Sequence, residues 1–113
     1  LKALKETGQR ENTIVWFLSD NGGPTRELTS SNRPLRGEKG QMYEGGIRVP
    51  FIVRWPGMIE PNQDPVDILH LTDLFTTAAR LGGALETVPD DRVTDGIDQT
   101  ALLLLGEGHG RRN

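Results

Sequence analysis

Two short apolar runs stand out from a chain that is otherwise polar and rich in glycine. The first, residues 14–18, is continuous, β-branched and aromatic, a pattern typical of a strand that is covered on both faces. We therefore predict a central, parallel strand at this position. The second run, residues 51–55, predicts another short strand, and Pro56 and Gly57 predict the turn that ends it, because proline cannot continue a strand.

Apolar residues at helical spacing predict one clear helix in the second half of the chain. This helix covers residues 73–81, with Thr72 as its N-cap and Gly82 and Gly83 at its end. Its apolar stripe should be buried against the sheet and consists of Leu71, Leu74, Phe75, Ala78 and Leu81. Residues 1–7 predict the last turns of another helix that Gly8 stops, and residues 96–105 predict a short helical turn with a leucine cluster.

The first strand leads directly into Asp20 and Asn21, which are followed by two glycines. In open α/β sheets ligands collect beyond the carboxyl ends of the strands, so chemistry is expected at this position. A carboxylate and an amide carbonyl are hard oxygen donors, which suit calcium or magnesium and suit softer metals poorly. Gly22 and Gly23 would let the backbone turn tightly beside the ion. The alternative is an ordinary turn, because these residue types after a strand are common turn signals that need no ligand.

A long loop, residues 33–50, separates this turn from the second strand. The loop is rich in glycine and arginine and lacks helical or strand periodicity, and a loop of this length is usually either functional or disordered. Apolar anchors favour an ordered loop, namely Met42, Tyr43, Ile47 and Val49. Lys39 is the cation that we place over an anionic substrate, because an ammonium group is a compact charge and the nearby glycines permit close approach. The alternative for Lys39 is a solvated surface charge.

In this order the motifs resemble the later part of a sulfatase catalytic domain, of the arylsulfatase and N-acetylgalactosamine-6-sulfatase type. The resemblance rests on the strand with its Asp20-Asn21-Gly22-Gly23 turn, on LRGEKG at 35–40, on YEGGIRVP at 43–50 and on WPG at 55–57. It implies an α/β fold of the alkaline-phosphatase-like kind, with a mainly parallel central sheet flanked by helices. It also implies that Asp20 and Asn21 are metal ligands for a calcium ion, in preference to magnesium, and that Lys39 is a catalytic, substrate-binding residue that contacts the sulfate group.

Other parts of that family's site are missing from this sequence. The family's nucleophile is a formylglycine made from a Cys or Ser in a Cys/Ser-x-Pro-x-Arg motif, but the chain has no cysteine, and the residues after Ser30 and Ser31 are in the wrong order. The resemblance therefore implies that residues 1–113 form a partial sulfatase catalytic domain, without the N-terminal nucleophile region and the C-terminal subdomain. We expect such a chain to be inert by itself.

Several arginines and both histidines are candidates for further roles. Arg26 and Arg33 lie in the stretch where a sulfatase meets its substrate, which makes both candidate contacts. Arg48 is interpreted as an ion-pair partner of Glu44 that holds the loop. His70 and His109 are interpreted as structural or solvated, because one lies in an apolar run far from the loop and the other lies in a glycine-rich terminal segment.

The composition and net charge of the chain limit the kinds of molecule that it is expected to bind. The chain has 113 residues, of which 35% are hydrophobic, and its net charge of -3 comes from interspersed acidic and basic residues, so no nucleic acid or membrane partner is expected. The partner implied by the resemblance is a sulfate ester of a sugar or an aryl alcohol. No export signal is visible at the start of the chain, and we expect a periplasmic or secreted location for the full-length parent. A central strand without neighbours has unpaired edges, which predicts self-association.

Two other functions stay open on the sequence alone. One is a phosphoryl-transfer hydrolase of the alkaline-phosphatase superfamily, which normally uses two transition metals held by several histidines, whereas this chain has two histidines. The other is a non-catalytic structural module, in which the turn at Asp20 and Asn21 binds nothing.

Overall fold

A computed structural model describes residues 1–27 and 29–106, which form two compact units. The strand unit is residues 14–54, and the helical unit is residues 1–13 together with residues 55–106. In chain order the elements are α1 (Lys2–Glu6), a 3-10 turn (Arg10–Asn12), β1 (Val15–Leu18), α2 (Glu44–Ile47), β2 (Phe51–Arg54), α3 (Asp73–Leu81), a second 3-10 turn (Leu85–Thr87) and α4 (Thr100–Leu105). Every helix in the described part of the chain is too short or too polar to cross a membrane.

An antiparallel pair of strands is the basis of the strand unit. β1 and β2 are hydrogen-bonded neighbours, with Trp16 opposite Val53 and Phe17 opposite Ile52. Both strands lie where the apolar runs predict them. The expected parallel central sheet is not seen in the described residues, whose sheet consists of these two strands. A parallel pair needs a crossover that is usually a full helix, whereas the connection here contains only the short α2 and returns the chain antiparallel.

The two faces of this strand pair differ in exposure. On one face the rings of Trp16 and Phe51 pack at a tilt of 54°, with their centroids 6.4 Å apart. On the other face Phe17 and Ile52 are 67% and 60% exposed. The prediction that β1 is covered on both faces is therefore wrong for the described residues, because they leave Phe17 and Ile52 exposed.

Helix α3 begins and ends where the sequence predicts, but it buries a different face. Gly83, which follows the C-cap residue Gly82, has a φ of +68°, as expected of a glycine that terminates a helix. The predicted burial of the apolar stripe is wrong, since Phe75 is 58% exposed. The fully buried side chains of this helix are instead Asp73 and Thr77.

This polar face is buried because a later segment of the helical unit docks on it through hydrogen bonds. The Asp73 carboxylate accepts hydrogen bonds from the backbone amides of His70 and Ile97, each at 2.9 Å. Thr77 Oγ1 accepts one from the backbone amide of Gln99 at 3.0 Å. Buried polar groups need such partners, and these partners lie more than twenty residues away along the chain except for His70.

Helix α4 supplies the apolar part of this core. Leu102 and Leu103 are buried, which confirms that the leucine cluster packs. Just before α4, the Asp98 carboxylate forms an ion pair with Arg80 of α3. Desolvation raises the pKa of Asp98, but the hydrogen bonds from Thr100 and the charge of Arg80 outweigh this effect and hold the pKa below its ordinary value.

His70 lies just before α3 and makes a local contact. Its Nδ1 lies 2.9 Å from the hydroxyl of Thr72, and Thr72 makes no side-chain capping hydrogen bond to the helix. Thr72 is thus the N-cap by position but not through its side chain. His109 lies outside the described residues.

Candidate functional site

The turn after β1 presents Asp20 and Asn21. Asp20 is exposed, and the hydroxyl of Ser19 donates a hydrogen bond to the backbone carbonyl of Asn21 at 2.8 Å, which holds the turn. Within the described residues, neither the Asp20 carboxylate nor the Asn21 side-chain amide takes part in a hydrogen bond or an ion pair. Their oxygen atoms are therefore available to a ligand.

Backbone hydrogen bonds join this turn to the loop that carries Lys39. The amide of Gly22 donates to the carbonyl of Gly46 at 2.9 Å, and the amide of Lys39 donates to the carbonyl of Gly23 at 3.4 Å. The two stretches singled out from the sequence are thus neighbours in the strand unit, although some twenty residues separate them along the chain.

Close approach of the two stretches depends on glycine. A Cβ atom on Gly22 would overlap the carbonyl oxygen of Gly45, and a Cβ atom on Gly45 would overlap the carbonyl oxygen of Gly37. Gly45 is buried in α2, a helical turn that the sequence did not predict. Gly22, the first of the two glycines after β1, therefore lets one backbone contact another.

The side-chain amide of Asn32 forms hydrogen bonds with both stretches, a role that the sequence did not predict. Its Oδ1 accepts a hydrogen bond from the amide of Gly23 at 2.8 Å, and its Nδ2 donates to the carbonyls of Gly23 at 2.8 Å and Gly37 at 3.1 Å. A primary amide can pair with a peptide group in this two-way manner because it carries both donors and an acceptor. In sequence, the only signal was an asparagine within a polar loop, which is not specific.

The carboxylate of Glu38, the residue directly before Lys39, makes a second set of contacts within the strand unit. Its carboxylate accepts hydrogen bonds from the hydroxyl of Thr25 at 2.7 Å and from the backbone amide of Arg26 at 3.0 Å, and it pairs with the Arg26 guanidinium at 2.8 Å. The hydrogen bond from Thr25 is the largest influence on this carboxyl, and together with the Arg26 contacts it outweighs desolvation, so the pKa of Glu38 lies below its ordinary value. Arg26, a candidate substrate contact, is therefore already engaged.

The cations of this loop fall into two groups. Arg36 lies over the ring of Tyr43, with its Cζ atom 3.9 Å from the ring centroid, and Arg48 pairs with Glu44 at 3.3 Å, which confirms the predicted pairing. By contrast, the described residues supply no ion-pair partner for either Lys39 or Arg33. Both side chains are exposed. Lys39 and Arg33 are therefore the cations that can meet an anionic ligand.

A metal ion would find only part of its ligand set among the described residues. No group of three or more His, Cys, Asp or Glu side chains in that part of the chain could hold an ion. Calcium takes roughly six to eight oxygen ligands, of which Asp20 and Asn21 would supply two or three. Their hard, unengaged oxygens fit calcium in kind, as members of a larger set.

Comparison with known proteins gives matches to a single family. A family model described as Sulfatase matches residues 1–84. The chain is 44% identical over 111 residues to the steryl-sulfatase of Rattus norvegicus, an alignment that covers 92% of this chain and 19% of that protein. It is 42% identical over 106 residues to the arylsulfatase of Hemicentrotus pulcherrimus, with 91% of this chain and 18% of that protein covered. It is 38% identical over 110 residues to the N-acetylgalactosamine-6-sulfatase of Mus musculus, with 95% and 21% covered.

Solved structures of known proteins also match this chain over most of its length. The PsFucS1 sulfatase from Pseudoalteromonas sp. matches with a TM-score of 0.84 and 46% identity, over 91% of this chain and 21% of that chain. Ps i-CgsB, in complex with k-i-k-neocarrahexaose, matches with a TM-score of 0.86 and 34% identity, over 95% of this chain and 23% of that chain. The chain spans about a fifth of the length of these relatives.

Proposed function

This chain belongs to the sulfatase family, and from that premise we propose that it forms part of an enzyme that hydrolyses a sulfate ester. Lys39 contacts the sulfate group, and Asp20 and Asn21 hold a calcium ion together with ligands from other parts of the enzyme. The substrate is a sulfate ester of a sugar or an aryl alcohol.

One observation carries this proposal. The turn with Asp20 and Asn21 and the loop with Lys39 are joined by backbone hydrogen bonds, yet the three functional side chains have no partner within the described residues. Most other charged groups of the same unit are engaged, as the carboxylate of Glu38 is. A protein that keeps an ammonium group and two hard oxygen donors unengaged on adjoining segments is suited to an anion and a cation bound side by side.

Lys39 acts through its charge. The sulfuryl oxygens carry negative charge that is redistributed as the ester bond breaks, and a cation already fixed beside them needs no reorganisation at that moment. The position of Lys39 is fixed through its own backbone, which bonds to Gly23, and through the neighbouring Glu38, which bonds to Thr25 and Arg26. These contacts restrain the lysine without neutralising its ammonium group.

A calcium ion bound at this site would supply positive charge that neutralises the sulfate group. Asp20 and Asn21 contribute to its site as oxygen ligands. Calcium is proposed in preference to magnesium because magnesium demands near-ideal octahedral geometry, whereas calcium accepts a varied set of oxygens. The sequence contains no formylglycine motif, so the 113-residue chain alone should not turn over a sulfate ester.

Hydrolysis of 4-nitrophenyl sulfate by the protein expressed from its complete reading frame tests this proposal. Lys39→Ala should lower kcat by roughly 100-fold to 1000-fold, the effect typical of removing one group that stabilises developing charge. Lys5→Ala, which alters an exposed lysine of α1, is the matched control and should leave kcat unchanged. Full activity in Lys39→Ala, or hydrolysis of 4-nitrophenyl phosphate in preference to the sulfate, would overturn the proposal.

A further inference from the structure

The turn after β1 contains an Asn-Gly dipeptide, and Asn21 is the only asparagine in the sequence that precedes a glycine. Asparagine is a thermolabile residue type. It is most labile before glycine, because the nitrogen of the next residue can attack the side-chain carbonyl carbon and glycine has no side chain to hinder the approach. Asn21 is therefore a candidate site of covalent modification.

The modification is a deamidation that needs only water as a co-reactant. The backbone nitrogen of Gly22 forms a bond to Cγ of Asn21, and the bond between Cγ and Nδ2 breaks. The proton of the Gly22 nitrogen passes through solvent to the departing group, which leaves as ammonia. Water then opens the cyclic imide at either carbonyl carbon and gives aspartate or isoaspartate, and nothing is oxidised or reduced.

The side chain of Asn21 does not oppose this reaction. Within the part of the chain that the structure describes, its amide group takes part in no hydrogen bond, and the residue is only half-buried. Solvent can therefore reach the amide group, and no hydrogen bond restrains the rotation that the reaction needs.

The peptide group between Asn21 and Gly22, by contrast, is restrained at both ends. Its carbonyl oxygen accepts a hydrogen bond from the hydroxyl of Ser19 at 2.8 Å, and its N–H donates to the carbonyl of Gly46 at 2.9 Å. The backbone of Gly45 packs so closely against the buried Gly22 that a Cβ atom there would overlap its carbonyl oxygen. Attack on Cγ requires this peptide group to rotate and its nitrogen to lose a hydrogen bond, so the folded geometry opposes the reaction.

We propose that Asn21 is a deamidation site that the folded strand unit suppresses and that reacts when the hydrogen bond between Gly22 and Gly46 opens. The rate then equals the rate of the unrestrained chain multiplied by the fraction of molecules in which this bond is open. Aspartate at this position places a second carboxylate beside Asp20, whereas isoaspartate adds a methylene group to the main chain before Gly22. This proposal goes beyond the proposed function and does not depend on calcium binding by Asn21.

Mass spectrometry of peptides from the 113-residue chain, sampled during incubation at mildly alkaline pH, tests the proposal. In guanidinium chloride Asn21 should deamidate faster than every other asparagine, because it alone precedes glycine. In the folded chain its rate constant should be at least about tenfold lower. Asn62, which is exposed and precedes Gln63, is the internal control and should react slowly in both states. Equal rates for Asn21 in the two states would overturn the proposal.

Ser19→Ala removes one of the two restraints without altering the dipeptide. In the folded chain it should raise the rate constant at Asn21 by about fivefold, the effect of one net hydrogen bond, and it should leave the rate in guanidinium chloride unchanged. Ser19→Thr retains a hydroxyl and should keep the lower rate. Ser31→Ala is the matched control, since its hydroxyl contacts the amide of Arg33 instead. An unchanged rate in folded Ser19→Ala would show that the restrained peptide group does not control the reaction.

Hydrogen exchange of the Gly22 amide tests the proposal in the unaltered chain, which covers the case that Ser19→Ala does not fold. Exchange and deamidation both require release of the same N–H group, so low concentrations of guanidinium chloride should raise both rates in the same proportion. Rapid deamidation of Asn21 while the Gly22 amide stays protected would contradict the proposal. Neither measurement involves calcium or a sulfate ester, so failure here leaves the proposed function standing, and failure of the proposed function leaves this inference standing.

Discussion

The two units of this chain differ in the exposure of the polar side chains singled out in each. In the helical unit the polar groups are buried and engaged: Asp73, Thr77 and Gln99 are nearly inaccessible to solvent, and hydrogen bonds tie the segment of Gln99 to α3. In the strand unit Asp20 and Lys39 are exposed and have no partner among the described residues, although the backbones beside them are bonded to each other. The buried polar groups of the helical unit hold its fold, whereas the strand unit uses some polar groups, such as Asn32 and Glu38, in the same way and presents others without partners.

This contrast gives a criterion that distinguishes polar groups with a structural role from polar groups with a functional role. A polar group that satisfies buried backbone amides contributes to stability, because leaving those amides unsatisfied would cost free energy. A polar group without a partner contributes little to the stability of the fold. Substitutions in the two units should therefore divide into those that change stability and those that change only binding.

The largest effect is expected from Gly22→Ala in the strand unit. The new Cβ would overlap the carbonyl oxygen of Gly45, and since both groups belong to the backbone, the clash cannot be relieved by a side-chain rotation. We expect the free energy of unfolding to fall by about 3 kcal/mol or more. Urea unfolding, followed by the fluorescence of Trp16 in a Trp55→Phe background, measures the change in the strand unit.

Gly40→Ala is the matched control for that substitution. Gly40 has a φ of +84° but no atom within 4 Å of a Cβ placed on it, so only conformational strain is added. A loss of about 1 kcal/mol is expected. Equal losses for the two variants would contradict the steric explanation for Gly22.

A slightly smaller loss is expected from Asp73→Ala in the helical unit. The substitution leaves the backbone amides of His70 and Ile97 without their acceptor, which should lower the free energy of unfolding by about 3 kcal/mol. Urea unfolding, followed by the fluorescence of Trp55 in a Trp16→Phe background, measures it. Retention of full stability would show that the engaged polar groups do not hold this unit.

Asn32→Ala should have an intermediate effect in the strand unit. It removes three hydrogen bonds to Gly23 and Gly37 and should destabilise the unit by about 2 kcal/mol. Amide hydrogen exchange provides the specific measurement, because the amide of Gly23 loses its acceptor and should exchange faster. Unchanged protection of that amide in Asn32→Ala would exclude Asn32 as the connection between the two stretches.

Glu38 should make the strand unit sensitive to acid. Its pKa is lower in the folded state than the ordinary value near 4.5, so its contribution to stability is complete above the unfolded-state pKa and is lost as pH falls through the folded-state pKa. The melting temperature of the chain should therefore decline below about pH 4.5. Glu38→Gln should remove this part of the pH dependence, and a variant that keeps the wild-type profile would contradict the assignment.

The smallest effect on stability is expected from the functional candidates. Asp20→Ala and Lys39→Ala should each change the free energy of unfolding by less than about 0.5 kcal/mol, since neither side chain has a partner to lose. The same variants should weaken the binding of calcium and of inorganic sulfate respectively, which calorimetry and NMR can measure. A destabilisation similar to that of Asp73→Ala would remove the distinction between the two units.

Local sequence signals were sufficient where the structure depends on neighbours in the chain. The bounds of α3 follow from its periodicity and from Gly82 and Gly83, and both strands follow from apolar runs. The sulfatase relationship also followed from motifs and is confirmed by the family model. The roles of Asp20, Asn21 and Lys39 stay predictions.

The sequence signals were not sufficient where burial depends on a distant segment. Periodicity placed Phe75 inside and left Asp73 unremarked, whereas the docking of Gln99 and its neighbours reverses that assignment. The parallel direction of β1 was predicted from its apolar run and from the sulfatase resemblance, although an apolar run carries no information about the direction of the partner strand. Asn32 escaped notice because nothing in its local sequence reveals the distant Gly23 as its partner.

By itself, the sequence determined the positions of both strands and of α3, the membership of the sulfatase family, and that the chain contains no cysteine. Only the tertiary structure decided that β1 and β2 run antiparallel, that Asp73 and Asn32 are engaged, and that Lys39 and Arg33 are not. The physical reason is the distance along the chain over which each kind of signal acts. Propensity and periodicity act over a few residues, whereas a hydrogen bond or an ion pair is decided by which distant segments approach within about 3 Å.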